Sequence, residues 1–167
     1  VAPLDHRLAS GDDRPGGTDF GGDAGGPHHT SKACTAGRGL TPDSFAEEAG
    51  VPRGTLDRFR TYHALLVKWQ RAVNLVGPRT LDDAWRRHFL DSAQLWPLVG
   101  RHISGRPAPV LADLGSGAGF PGLVLAIIAA GAGSPLAVHL VESDQRKAAF
   151  LQEVARATET PVTVHVL

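Results

Sequence analysis

The sequence predicts an α/β fold built on a parallel, doubly wound sheet, and three observations lead there. Beyond Pro109, short apolar runs alternate with helical stretches in the order strand–helix–strand–helix–strand. Parallel strands need that order, because each crossover between them is a helix. The first run closes on a dense glycine turn, Gly115 to Gly122, and the second ends on an acid, Glu142. At 167 residues the chain holds one domain and a modest appendage.

The elements follow in order. Residues 1–39 carry nine glycines and three prolines, with Val1, Leu4, Leu8 and Phe20 as the only large apolar residues. Such an arm buries too little surface to offset its ordering entropy, so disorder is expected. Its His28-His29 pair has no third ligand at useful spacing, and no metal site is expected there. Order begins at Thr41-Pro42-Asp43, a cap, a first-turn proline and an acid at the positive helix end. Gly50 and Pro52 stop that short helix. A longer one is expected over about 55–73. At about 100° per residue, Phe59, Tyr62, Leu65, Leu66, Trp69 and Val73 share one sector, with Arg60, Lys68 and Arg71 opposite. Gly77-Pro78 breaks the chain, and a third helix is expected from about Leu81 to Leu95, anchored by Trp85, Phe89 and Trp96. Arg87 and Asp91, four apart, are expected to pair across a turn.

From Pro109 the period changes. Val110 to Leu114 reads as a strand, Leu123 to Ala130 as a helix ending at Gly131, and Leu136 to Val141 as a second strand. Asp144 to Ala157 reads as a helix with Ala148, Leu151 and Val154 inward, and Val162 to Leu167 as a third strand. The chain thus divides into an acidic arm (1–39), a helical segment (40–106) and a sheet domain (107–167).

Charge follows a similar division. Overall, 17 Lys and Arg balance 17 Asp and Glu, so total charge points to neither a nucleic-acid nor a membrane partner. Residues 53–106, however, carry 10 basic against 4 acidic side chains. That suits phosphate contacts, and Arg60, Lys68, Arg71, Arg79 and Arg86 are the RNA-binding candidates. A solvated helix face accounts for any one of them equally well. The single cysteine, Cys34, excludes an internal disulfide framework and a Cys-rich zinc site. It fits a cytoplasmic setting. No signal peptide is expected, and the apolar run Leu123 to Ala130 is too short to span a bilayer.

The chemistry is expected at Asp113-Leu114-Gly115-Ser116-Gly117-Ala118-Gly119-Phe120-Pro121-Gly122. Glycines let a backbone turn sharply and approach a ligand at the carboxyl end of a strand. Glu142 is placed to accept hydrogen bonds from the two ribose hydroxyls of an adenosine. Two cofactors remain open. Gly117-x-Gly119-x-x-Gly122 with an acid 20 residues on also satisfies the dinucleotide fingerprint. Asp113 favours S-adenosylmethionine, whose ammonium and sulfonium are cationic, over a pyrophosphate on the helix start.

Four blocks carry a family resemblance. Residues 113–122 resemble motif I of the RsmG family (glucose-inhibited division protein B), and Lys68-Trp69 with Val73-Asn74-Leu75 resembles its Lys-Trp…Asn-Leu segment. Arg87-His88-Phe89-Leu90-Asp91-Ser92 resembles its Arg-His-x-x-Asp-Ser block, and Glu142-Ser143 with Lys147 and Phe150-Leu151 its acid-Ser and following helix. The similarity covers about residues 55–167. It implies a Rossmann-like class I S-adenosylmethionine-dependent methyltransferase fold. The implied activity is methylation of N7 of one guanine in bacterial 16S ribosomal RNA on the 30S subunit, by a monomer. Asp113, Gly115, Ser116, Gly117, Gly119, Phe120 and Glu142 are then the cofactor-binding residues, with Glu142 standing where the family often has aspartate. Guanine N7 has a free lone pair, so no general base is expected and catalysis rests on positioning. Arg87, His88 and Asp91 are expected to brace the helix against the sheet domain; a direct role of His88 and Asp91 on the base is the alternative. Trp69, Trp85 and Trp96, at helical spacing, are expected in the core rather than stacked on bases.

Class I enzymes have seven strands and this chain carries three, so a fragment with impaired cofactor binding is expected. An unpaired first-strand edge containing Val110 and Leu114 is expected with it. A nicotinamide-dependent oxidoreductase, a non-catalytic RNA-binding module and a small-molecule methyltransferase are the alternatives.

Overall fold

The computed structural model describes residues 39–167. Most of the arm expected to be disordered, with His28, His29 and Cys34, lies outside the described residues. Helix α1 (Pro42–Ala49) starts as its sequence dictates: the Thr41 hydroxyl accepts from the Ser44 N–H at 3.1 Å, and proline sits in the first turn.

Helix α2 (Arg53–Gln70) buries Phe59, Tyr62 and Leu66 and leaves Arg60 and Lys68 in solvent, the two faces that the periodicity predicts. It stops short of Val73 because the Gln70 side chain takes over the next backbone groups. Its Oε1 accepts from the N–H groups of Leu75 and Val76, each at 3.0 Å, and its Nε2 donates to the Val76 carbonyl at 2.8 Å.

The third helix departs from expectation. In place of one helix over 81–95 there are three short pieces, α3 (Pro78–Leu81), a π-helical turn (Trp85–Leu90) and α4 (Asp91–Ala93). A further helix, α5 (Trp96–Ile103), follows with Pro97 in its first turn. The wider π turn shifts side chains off the i,i+4 rows. Arg87 consequently does not meet Asp91; its Nε lies 4.0 Å from Asp83 Oδ2, in an exposed pair of little energetic weight.

Strands β1 (Val110–Leu114), β2 (Ala137–Glu142) and β3 (Thr163–Val166) form one parallel sheet in the order β1-β2-β3. Helices α6 (Gly122–Gly131) and α7 (Gln145–Ala157) are the crossovers. α6 is apolar on every side and buried from Gly122 to Ala129, as an element enclosed between sheet and helices must be. Asp144 caps α7 by accepting from the Arg146 and Lys147 N–H groups. Side chains alternate along β2: Val138 and Leu140 are buried on the helix-covered face, while Ala137, His139 and Val141 are more exposed on the other. Strand β1 is an edge, with Val110 64% and Leu114 78% exposed.

Residues 40–106 and the sheet share one core. Phe45, Phe59, Tyr62, Trp85 and Phe89 are continuous with Leu123, Ile127, Leu140, Phe150 and Leu151. Trp85 is buried in it, and Trp69 and Trp96 pack against it, so all three tryptophans serve the core. No helix of the described residues is long and apolar enough to cross a membrane.

Candidate cofactor site

The site begins where β1 ends. Parallel pairing with β2 carries Asp113 to the carboxyl end of the sheet, opposite Leu140. The chain then reverses through Gly115, Gly117 and Gly119, whose φ values of +77°, +55° and +94° suit residues without a Cβ. The Val141 carbonyl anchors the turn, accepting from the Gly115 N–H at 2.9 Å and the Ser116 N–H at 3.0 Å. A Cβ on Gly115 would meet nothing within 4 Å, and one on Gly117 only the Gly115 carbonyl at 3.8 Å. The outer side of the loop is therefore open to a ligand.

The two carboxylates face the loop from within. Asp113 Oδ2 accepts from the Gly122 N–H at 3.1 Å, at the first residue of α6. A Cβ on Gly122 would stand 2.5 Å from that oxygen, so carboxylate and helix start meet only because residue 122 is glycine. Glu142, 7% exposed, accepts from the Gly117 N–H at 2.7 Å and the Asp144 N–H at 2.8 Å, one bond on each oxygen. Burial pushes its carboxyl up, but the backbone N–H groups of Asp144 and Gly117, with the Lys147 charge, outweigh it and hold it below the usual carboxylate range. Each carboxylate oxygen keeps a second lone pair.

Two expected contact residues have structural partners. Ser116 is buried, and its hydroxyl donates to the Asp113 carbonyl at 2.9 Å, closing the turn on itself. Phe120 lies between two rings, stacked on Tyr62 (5.4 Å between centroids, 9° between planes) and on His88 (4.9 Å, 24°). Phe89 packs on it as well, with planes 82° apart.

Tyr62, absent from the sequence-derived site residues, connects helix and loop. Its hydroxyl donates to the Ala118 carbonyl, and a Cβ on Gly119 would lie 2.6 Å from the Tyr62 hydroxyl oxygen. Burial first, and the Asp113 charge second, push the phenol well above its ordinary value, so it remains a neutral donor. The available signal was its position as the one tyrosine of the chain on the apolar face of α2.

His88 meets Thr80 and Phe120 rather than Asp91. The Thr80 hydroxyl donates to the Gly77 carbonyl at 2.8 Å, so at 2.8 Å from His88 Nε2 it must be the acceptor and His88 the donor. Burial lowers the His88 pKa; Asp91 raises it and Arg87 lowers it by smaller amounts. Asp91 itself is exposed and makes no ion pair among the described residues.

The basic candidates separate. Arg60 is committed to Asp43 at 2.8 Å and Asp57 at 3.0 Å. Lys68 is exposed and forms no ion pair among the described residues. Arg71, Arg79 and Arg86 are exposed and form no ion pair among the described residues.

A three-stranded parallel sheet, a glycine reversal after β1 and an acid at the end of β2 define a Rossmann-like methyltransferase fold. The comparisons with known proteins agree. The GidB family model, described as rRNA small subunit methyltransferase G, matches residues 55–166, and the chain belongs to that family. Ribosomal RNA small subunit methyltransferase G of Paramagnetospirillum magneticum is 59% identical over 125 residues, covering 75% of this chain and 56% of the relative. The protein of the same name from Rhodospirillum rubrum is 57% identical over 128 residues, covering 77% and 59%. That from Rhodospirillum centenum is 60% identical over 121 residues, covering 72% and 51%. The chain thus spans a little over half the length of these relatives.

Proposed function

We propose that this chain carries the S-adenosylmethionine-binding part of a cytoplasmic, monomeric methyltransferase acting on N7 of a guanine in bacterial 16S ribosomal RNA within the 30S subunit. The observation that carries the cofactor assignment is the hydrogen bond from the Gly122 N–H to Asp113. A dinucleotide-binding turn offers its helix-start N–H groups and positive dipole to a pyrophosphate. Here a carboxylate fills that seat, and a second anion there would be repelled at close range. A cofactor without phosphate that carries an ammonium and a sulfonium fits the same turn.

The open outer side of Gly115 and Gly117 gives an adenosine moiety room to lie against the backbone. Asp113 and Ser116 then hold the turn in shape, and Phe120 borders the cofactor. Glu142 has one lone pair left on each oxygen for the ribose hydroxyls while its other pairs fix Gly117 and Asp144. Bound S-adenosylmethionine supplies an electrophilic methyl group. Because the acceptor N7 needs no deprotonation, the residues of this chain act by orientation and exclusion of water. Residues 40–106 form the RNA-facing segment of the proposal, with Lys68, Arg71, Arg79 and Arg86 supplying phosphate contacts and Arg60 engaged with Asp43 and Asp57.

The test is calorimetric titration of the 167-residue chain with S-adenosylmethionine and, separately, with NAD, followed by transfer of labelled methyl groups to unmodified 30S subunits. Binding of the sulfonium compound, weaker than by a C-terminally extended chain, and none of the dinucleotide are expected, with label entering 16S RNA when the extended chain is used. Tighter binding of NAD would overturn the cofactor assignment. Label entering protein or small molecules alone would overturn the substrate assignment.

A further inference from the structure

The glycine loop and the basic segment meet at one imidazole whose second nitrogen has no partner. His88 ends a stack of three rings, in which Tyr62 is fully buried and Phe120 and His88 are half-buried. Its neighbours fix its tautomer. Thr80 gives its hydroxyl proton to the Gly77 carbonyl at 2.8 Å, so His88 Nε2, 2.8 Å from that hydroxyl, carries the ring proton. Nδ1 of the neutral ring then holds a bare lone pair. Burial lowers the His88 pKa, which keeps that lone pair free near neutral pH. Among the described residues no donor reaches Nδ1, and the atom is not sealed inside the fold. Cations surround the position: Arg79 precedes Thr80, Arg86 and Arg87 precede His88, and all three are exposed.

We propose, resting on the methyltransferase reading above, that His88 Nδ1 selects guanine as the methyl acceptor by taking a hydrogen bond from the N–H donors of its Watson–Crick edge. On that reading Phe120 borders the cofactor, so the accepting base comes against the same end of the loop as the His88 ring stacked on Phe120. Arg79, Arg86 and Arg87 draw the RNA backbone to that place without reading its sequence. A base methylated at N7 turns that nitrogen to the sulfonium, which leaves its Watson–Crick edge to be read. Guanine presents N1–H and the N2 amino group there, whereas adenine presents the N1 lone pair. A fixed acceptor therefore bonds guanine and repels adenine N1, while a hydroxyl, able to donate or accept, would serve both. The Thr80 bond holds the ring proton on Nε2, so the imidazole does not switch tautomer to suit the wrong base.

The test uses the chain extended at its C-terminus to the length of its relatives, with labelled S-adenosylmethionine. Its substrates are reconstituted 30S subunits carrying guanine or adenine at the methylated position. His88→Gln keeps a donor for Thr80 and removes the acceptor at Nδ1; His88→Asn gives up the Thr80 bond and keeps an oxygen near Nδ1. His88→Gln is expected to lower kcat/KM on guanine by about tenfold or more, and the guanine-over-adenine ratio by a similar factor. Its affinity for S-adenosylmethionine should stay within about twofold of the parent, with unchanged circular dichroism. His88→Asn should retain more of both rate and ratio. A ring that only supports the fold would lose stability or cofactor affinity and leave the base ratio intact. That result, a His88→Gln protein as selective as the parent, or His88→Asn less selective than His88→Gln would overturn the proposal. A parent that binds S-adenosylmethionine and labels no 16S RNA would overturn the functional reading, and this proposal with it.

Discussion

Removing one oxygen atom, in Tyr62→Phe, tests how the helical segment holds the glycine loop. Tyr62 is fully buried, and its hydroxyl is the partner of the Ala118 carbonyl, itself only 5% exposed. Phenylalanine keeps the ring stacked on Phe120 and edge-on to Phe89, so the aromatic packing survives. What is lost is the hydrogen bond, and a buried carbonyl is left without a donor; together these cost about 1–3 kcal/mol. For an ordered unit of this size the melting temperature should fall by roughly 5–10 °C. Urea denaturation and calorimetric melting measure it, with an unchanged m-value showing that the fold persists. Because Gly119 packs directly on the lost oxygen, affinity for S-adenosylmethionine should fall too, while ellipticity stays constant. Stability within about 0.5 kcal/mol of the parent would refute the claim that this bond anchors the loop.

The raised phenol pKa gives the same variant a second, signed consequence. A group whose folded pKa lies above its unfolded value contributes stability that is present below the unfolded pKa and lost as pH rises through the folded one. The parent should therefore lose stability above about pH 10, and Tyr62→Phe should lose less over the same interval. Equal alkaline losses would mean that the phenol is not held neutral.

Glu142→Gln replaces the acceptor of two backbone N–H bonds with an amide that offers one good acceptor. It should cost about 1.5–3 kcal/mol near neutral pH. Since the Glu142 carboxyl is held below its ordinary value, its contribution is full above about pH 4.5 and fades as pH falls through the folded value. The difference between the two proteins in urea melts should shrink below pH 4.5; a pH-independent gap would contradict this. Gly122→Ala places a methyl 2.5 Å from Asp113 Oδ2 and 2.7 Å from Leu140 Cδ2. A loss of at least about 2 kcal/mol in chemical denaturation is expected, and a neutral result would mean that the loop and α6 have slack. Gln70→Ala strips three backbone bonds from the turn after α2 and should cost about 1–3 kcal/mol, with hydrogen exchange accelerated at Leu75 and Val76. Unaltered exchange there would remove Gln70 as the cause of the helix end.

The division between what periodicity and motif spacing could reveal and what they could not follows the range of the forces involved. The three strands, both crossover helices and the caps at Thr41 and Asp144 depend on neighbours within a few residues, and each lies within a residue or two of its expected place. The break in the helix over 81–95 depends on more distant partners. Phe89 packs against Phe45, Phe59, Tyr62 and Phe120, and His88 reaches Thr80 and Phe120; a regular helix does not hold those contacts together. A π turn reconciles them, and it undoes the Arg87–Asp91 pair that linear spacing predicts. The glycine loop divides in the same way. Its position was legible from Asp113 to Gly122, whereas the seating of Asp113 on the α6 start depends on how sheet and helix pack. Asp113 accepts from the first N–H of α6, so on the proposed reading discrimination against a phosphate comes from a filled seat rather than from long-range attraction alone. A filled seat involves a short contact less screened by salt than long-range attraction between exposed charges. Preference for S-adenosylmethionine over NAD should therefore persist at 0.5 M salt, where an exposed-charge mechanism would lose most of it.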